Sequence, residues 1–106
     1  NRLPEVIDMV LAQKPDCIVC MDDYICNMVL IHLRTSNVRI PQDVKIVSYY
    51  DNILLENHIP SITSLHFDAA ELGKIACQKL IDKLGGKADG NYILPGYQMV
   101  MRDSTK

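Results

Sequence analysis

Two short apolar runs separated by one helical segment set the tightest limit on what this chain can fold into. Cys17-Ile18-Val19-Cys20-Met21 has strand length and no polar interruption, the pattern of a parallel strand covered on both faces. Val44 to Tyr49 is a second β-rich run. Between them, Tyr24 to Arg34 carries apolar side chains at Tyr24, Ile25, Met28, Val29, Leu30, Ile31 and Leu33. Strand, helix, strand in that order implies parallel strands, because the helix carries the chain back to the edge it started from. The helix is apolar over a wider arc than one sheet face can cover, so a second covering surface is expected, such as another subunit.

Both strands stop in polar or aromatic residues. The first ends in Asp22-Asp23 and the second in Tyr49-Tyr50-Asp51. In open α/β sheets, ligands bind beyond the carboxyl ends of the strands. Asp22, Tyr50 and Asp51 are therefore candidate ligand contacts. Asp23 is assigned to capping the following helix, since a carboxylate there accepts backbone N–H groups and complements the helix dipole. Tyr50 and Asp51 both have a structural alternative, Asp51 by organising the turn through its own backbone.

The flanking segments are consistent with this plan. Leu3 to Gln13 has helical spacing at Leu3, Val6, Ile7, Val10 and Leu11, with Pro4 in the first turn and Pro15 beyond the end. Ser36-Asn37 ends the second helix, and Pro41 marks a loop. After a short segment, Ile53 to His58, the run Ser61 to Phe67 predicts a third strand. Asp68 with Glu71 gives a capping-box pattern for a helix to about Leu84, whose apolar stripe is Leu72, Ile75, Ala76, Leu80 and Leu84. Gly85-Gly86 closes it. A polar turn over Ala88 to Asn91 precedes Tyr92-Ile93-Leu94 and a run from Tyr97 to Met101.

Composition narrows the function. The 106 residues hold 11 basic and 13 acidic side chains, for a net charge of −2, and the basic ones are scattered. Direct nucleic-acid binding by this segment is not expected. Cys17 and Cys20 form a C-x-x-C, but residues three apart on a strand face opposite sides and cannot hold one ion. The cysteines Cys17, Cys20, Cys26 and Cys77 are read as small buried hydrophobes in a reducing cytoplasm, with no metal. His32, His58 and His66 share no metal-ligand spacing, and no catalytic grouping or cofactor motif stands out. The longest apolar run, within Ile25 to Leu33, falls well short of the roughly 20 residues of a membrane span. The opening Asn1-Arg2-Leu3-Pro4 has no signal-like character and reads as the interior of a longer protein.

A set of landmarks in fixed order adds to this. They are Pro15-Asp16-Cys17-Ile18-Val19-Cys20-Met21-Asp22-Asp23, then Val38-Arg39-Ile40-Pro41-Gln42-Asp43-Val44 leading into Ile46 to Asp51, then Pro60 to Leu65, Glu71-Leu72-Gly73 and the closing Arg102-Asp103-Ser104-Thr105. In order and spacing they resemble the effector-binding core of the LacI/GalR family of bacterial transcription regulators, which is similar to the periplasmic sugar-binding proteins. The similarity covers nearly the whole chain. It implies an α/β, parallel-sheet, periplasmic-binding-protein-like (type I) fold, mostly the C-terminal lobe. Residues 1–67 would form that lobe, 68–90 a helix packing on an N-terminal lobe, and 91–106 the returning strands. The DNA-binding domain is expected to be absent from this segment.

The resemblance also implies roles. Asp22 matches a position that contacts effector at a strand end, where a carboxylate suits sugar hydroxyls. Tyr50 stands where many members carry an Asp, and Ser48 where they carry a Gly. Phe67 replaces a residue that is often Gln, and either lines the pocket or packs in the core. The effector-binding set is thus Asp22, Tyr50, Asp51 and Phe67. The family's homodimer surface maps to Asn27, Ile31, Leu54, Leu55 and His58. The implied function is binding of a small-molecule effector, a sugar or derivative, in a cytoplasmic repressor that reaches operator DNA through another domain. No enzyme activity, cofactor or membrane is implied. A periplasmic-type sugar-binding protein of a transport system is the alternative, and an enzyme using Asp22 or Asp51 as a base is a second.

Overall fold

The computed structural model describes residues 2–87 and 96–106. In chain order the elements are α1 (Leu3–Ala12), β1 (Cys17–Cys20), α2 (Asp23–Thr35), β2 (Lys45–Ser48), α3 (Ile53–Glu56), β3 (Thr63–His66), α4 (Ala69–Leu84) and β4 (Gln98–Val100), followed by a 3-10 turn at Asp103–Thr105. The strands form one sheet in the order β1-β2-β3-β4. β1 pairs with β2 and β2 with β3, both in parallel, with Cys20 opposite Ser48 and Ser48 opposite Ser64. The turn expected over Ala88 to Asn91 and the run Tyr92 to Leu94 lie outside the described residues.

The chain divides into two compact units, one of residues 1–66 with 99–106 and the other of residues 67–98. In the first, Ile7 of α1, Cys20 of β1, Cys26, Val29, Leu30 and Leu33 of α2, and Val44, Ile46, Leu55 and Ile62 form one buried cluster. Ser36-Asn37 ends α2 as expected, with Asn37 at φ 58°, a left-handed position that Asn tolerates better than most residues. The Arg39-to-Asp43 loop braces itself. The Asp43 carboxylate accepts the Arg39 backbone N–H at 2.8 Å and its guanidinium at 3.1 and 3.0 Å.

Two expectations change. β1 was expected to be covered on both faces, yet Val19 is 54% exposed while Cys20 is buried. Alternation along a strand sends these neighbours to opposite faces, and Cys20 is the one that joins the cluster of α1 and α2 residues. The cysteines also divide, Cys20 and Cys26 being buried and Cys17 and Cys77 exposed. Burial and a hydrogen bond to Cys20 push the Cys26 thiol up, the hydrogen bond being the larger cause, so it sits in the core as a protonated group.

The closing Arg102-Asp103-Ser104-Thr105 is a clasp on the sheet. Ser104 is fully buried. Its hydroxyl donates to the Ile46 carbonyl at 2.6 Å and accepts the Thr63 N–H at 2.9 Å, bridging β2 to the start of β3. The Arg102 backbone N–H reaches the Thr63 hydroxyl at 2.8 Å. Its guanidinium donates to the Ile62 carbonyl at 2.7 Å and to both oxygens of Asp51 at 2.8 and 3.1 Å.

In the second unit, the Asp68 carboxylate accepts the Glu71 N–H at 3.0 Å and starts α4. Gly85 and Gly86 end it, Gly86 at φ 77°, where a side chain would be strained. No described residue of α4 is buried, and Leu80, Ile81 and Leu84 are exposed.

Two consequences can be measured. Ser104→Ala leaves a carbonyl and an N–H without their shared partner and should cost about 1–3 kcal/mol in urea unfolding. A smaller loss would mean that water replaces the hydroxyl. The hydrogen bond and charge of Arg102 hold the Asp51 carboxyl below the usual carboxylate range, with His66 adding to this. A depressed folded pKa gives stability that is present above the unfolded value, about 4, and is lost as pH falls through the folded value. Asp51→Asn should therefore cost roughly 3 kcal/mol near neutral pH and flatten the decline of stability below about pH 4. An unchanged acid slope would rule out the pair as its source.

Candidate functional site

The parallel register of β1 and β2 brings their carboxyl ends side by side. The Tyr49 N–H donates to the Cys20 carbonyl at 2.8 Å, one residue past the paired ends Cys20 and Ser48. Beyond that bond the chain leaves β1 as Met21-Asp22-Asp23-Tyr24 and leaves β2 as Tyr49-Tyr50-Asp51-Asn52. Met21, Tyr24, Tyr49 and Tyr50 are all exposed there, Tyr50 at 45%. Exposed aromatic residues and the exposed Asp22 thus follow the ends of these two strands.

Each nominated residue has a defined place. Asp22, not Asp23, is the N-cap of α2, its Oδ1 accepting the Ile25 N–H at 2.7 Å. Sequence reasoning gave the cap to Asp23 because two adjacent carboxylates at a helix start are hard to tell apart. Asp23 instead accepts the Tyr24 N–H at 3.0 Å through Oδ1 and the Asn52 side chain at 2.6 Å through Oδ2. Asp22 remains exposed at the strand end, where a second carboxylate oxygen can still accept a hydrogen bond.

Tyr50 is held by Ser48, whose buried hydroxyl donates to the Tyr50 carbonyl at 2.6 Å and accepts its N–H at 3.2 Å. This small closed ring fixes the backbone from which the tyrosine projects. Asp51 faces the other way. Its side chain is 10% exposed, against 12% for Arg102, and its Oδ2 also meets His66 Nδ1 at 3.2 Å. A carboxylate held by a two-pronged guanidinium and an imidazole is a structural anchor, which withdraws Asp51 as an effector contact. Its partner lies 51 residues away in sequence, so no local pattern marks the pair. Phe67 belongs to the second unit. There it lines a cavity of about 540 Å³ with Asp68, Glu71, Leu72, Ile75, Gly96 and Tyr97.

The residues nominated for a subunit interface separate by burial. Leu54 is 66% exposed and Ile31 40%, and Asn27 is also open. Leu55 is 1% exposed and belongs to the core cluster, so it offers no surface to a second subunit. On the one-turn helix α3, adjacent side chains point about 100° apart, and Leu55 takes the inward direction. His58 is half-buried, its Nδ1 2.8 Å from the Pro60 carbonyl. It borders a groove of about 420 Å³ lined also by Leu30, Arg34, Val38, Ile40 and Ile59.

Among the described residues no three His, Cys, Asp or Glu side chains are grouped to hold a metal ion. No helix there is long and apolar enough to cross a membrane.

Comparison with known proteins agrees with this architecture. Residues 2–105 match the periplasmic binding protein-like domain. The HTH-type transcriptional regulator RegA of Clostridium saccharobutylicum is 31% identical over 97 residues, 90% of this chain and 29% of its own length. A LacI family transcriptional regulator from Bifidobacterium animalis subsp. lactis superposes with a TM-score of 0.89 at 26% identity, over 97% of this chain and 39% of that one. The lac repressor dimer bound to operator and the anti-inducer ONPF shares the fold, with a TM-score of 0.84 at 24% identity, over 97% of this chain and 32% of that one. This chain therefore spans about a third of the length of these relatives. With the family match running from residue 2 to residue 105 and the fold shared with a LacI family regulator, the chain belongs to the periplasmic binding protein-like domain family, in its LacI/GalR regulator branch.

Proposed function

We propose that this chain is the effector-binding and dimerisation part of a LacI-type DNA-binding transcription regulator, and that its effector is a sugar or sugar derivative. The observation that carries the reading is the Tyr49-to-Cys20 bond at 2.8 Å, which holds two strand ends together where an open α/β sheet binds its ligands. Asp22 accepts hydrogen bonds from hydroxyls, and Tyr50, standing where many relatives have an acid, gives a ring face for stacking against a sugar. Phe67 is kept as a further candidate effector contact, as the family resemblance implies. The job is binding rather than chemistry, carried out in the cytoplasm, with operator DNA contacted by a separate domain.

The proposed domain plan follows the same family logic. α4, none of whose described residues is buried, is read as packing on the N-terminal lobe of the closing pair, while residues 1–67 and 91–106 form the C-terminal lobe. The dimer surface is assigned to Asn27, Ile31, Leu54 and His58, which lie on α2, α3 and the turn after it. Dimerisation as such is supported by the lac repressor, which shares this fold and binds operator as a dimer.

Thermal-shift screening of the intact protein against neutral sugars, sugar phosphates and nucleobases should find its stabiliser among the neutral sugars, and Tyr50→Ala should abolish the shift. Stabilisation by a nucleobase alone would reassign the effector. A shift that survives Tyr50→Ala would remove this rim from the site. Separately, Leu54→Asp places a charge on the proposed two-fold surface and should halve the mass seen in sedimentation equilibrium, whereas an unchanged mass would exclude that surface.

A further inference from the structure

The loops leaving β1 and β2 are joined by a side-chain bridge that ligand contact does not account for. Asn52 Nδ2 donates to Asp23 Oδ2 at 2.6 Å, across 29 residues of sequence, in a half-buried setting. Neither group has freedom to turn away. The Asn52 Oδ1 accepts the Leu55 N–H at 3.0 Å and caps α3, while the Asp23 Oδ1 accepts the Tyr24 N–H at 3.0 Å. The chemistry fixes the direction of the amide, because only its NH₂ can donate to a carboxylate and only its oxygen can accept an N–H. One charged hydrogen bond thus ties the start of α2 to the start of α3.

We propose that Asn52 and Asp23 form a latch that sets the spacing of the two strand-end loops, which makes both of them positioning residues of the effector rim. The inference rests on the reading of that rim as the effector site. Asp22 adjoins Asp23 in sequence, and Tyr50 lies two residues before Asn52. Nearer the sheet, the loops are joined by the Tyr49-to-Cys20 backbone bond. A single anchor leaves two loops free to splay about it; a second anchor farther out fixes their separation and holds the binding groups in place before ligand arrives.

The latch has a test in which its atoms are exchanged rather than removed. Asn52→Asp keeps the cap on α3, since Asp caps as well as Asn, but sets two carboxylates against each other. Asn52→Ser also keeps a capping oxygen, is too short to reach Asp23 and adds no charge, so it serves if the first variant folds poorly. Combining Asp23→Asn with Asn52→Asp swaps donor and acceptor and rebuilds the bridge. Amide hydrogen exchange of the full chain by NMR should rise about tenfold at Tyr49 and Tyr50 in each single Asn52 variant. It should stay unchanged at Ile46 and Leu55, and the swap should restore it. Unchanged exchange at Tyr49 and Tyr50, or a swap that fails to restore it, would overturn the latch.

A second measurement separates positioning from simple bracing. Lactose, D-ribose and adenine serve as thermal-shift probes on the intact protein, and whichever stabilises the parent should lose most of its effect in Asn52→Ser and regain it in the swap. A ligand shift that is indifferent to Asn52→Ser would overturn the positioning role. If no probe stabilises the parent, the effector reading is what fails, and the exchange data still decide whether the latch exists.

Discussion

The middle of the sheet depends on polar atoms that arrive from the far end of the chain. β2 and β3 run in parallel between neighbours, so their backbone groups near Ile46 and Thr63 lie where solvent does not reach them easily. A buried carbonyl or N–H without a partner is costly. The hydroxyl of Ser104 meets two such groups at once, and the Arg102 guanidinium meets a third at Ile62 while balancing the Asp51 charge. This clasp ties β2 at Ile46 and the loop after it at Asp51, and so bears on which residues remain for the rim. Asp51 is drawn inward, and Tyr50 is left outward on the turn closed by Ser48.

How far the sequence reveals this depends on the range over which each interaction acts. The parallel unit is legible because strand length and helical spacing are local patterns, and Cys17–Cys20, Asp23–Thr35 and Lys45–Ser48 fall close to where those patterns predict. The caps at Asp68 and Gly85 are legible for the same reason. Asp51 is not, since its environment is set by a guanidinium from the other end of the chain. Nor is Leu55: on a helix as short as Ile53–Glu56 there is no periodicity from which to tell the inward leucine from its outward neighbour, Leu54. The exposure of Val19 and Cys17 escapes a reading that takes an unbroken apolar run as proof of cover on both faces, because cover depends on which elements pack there.

Among the candidate site residues, the strand-end rule nominates a place on the sheet but not the duties of the residues within it. It marks Asp22, Asp23, Tyr50 and Asp51 alike, since all four follow a strand. Hydrogen bonding then divides them. Asp22 caps through one oxygen and faces outward, Asp23 is tied to Asn52, and Asp51 anchors Arg102. Asn52 was not nominated at all, although an Asn immediately before a short apolar segment is a capping signal; its second role, as donor to Asp23, has no sequence signature.

The proposed effector rim and the proposed dimer surface meet on the same two helices. α2 starts at the rim with Asp22 and Asp23 and carries Ile31 two turns further along. α3 starts with Asn52 and carries Leu54. Both helices are seated in the core, through Cys26, Val29, Leu30 and Leu33 in one case and Leu55 in the other, and packed interiors transmit displacement rather than absorb it. A ligand that shifts the loops at the helix starts therefore has a short mechanical route to the outer flanks. Coupling between sites in regulators is typically worth about 1–3 kcal/mol, a scale that small shifts of two helices seated in one core can supply without unfolding either. On this account the bridge between Asn52 and Asp23 does more than steady the rim, because it joins the starts of the two helices that lead away from it.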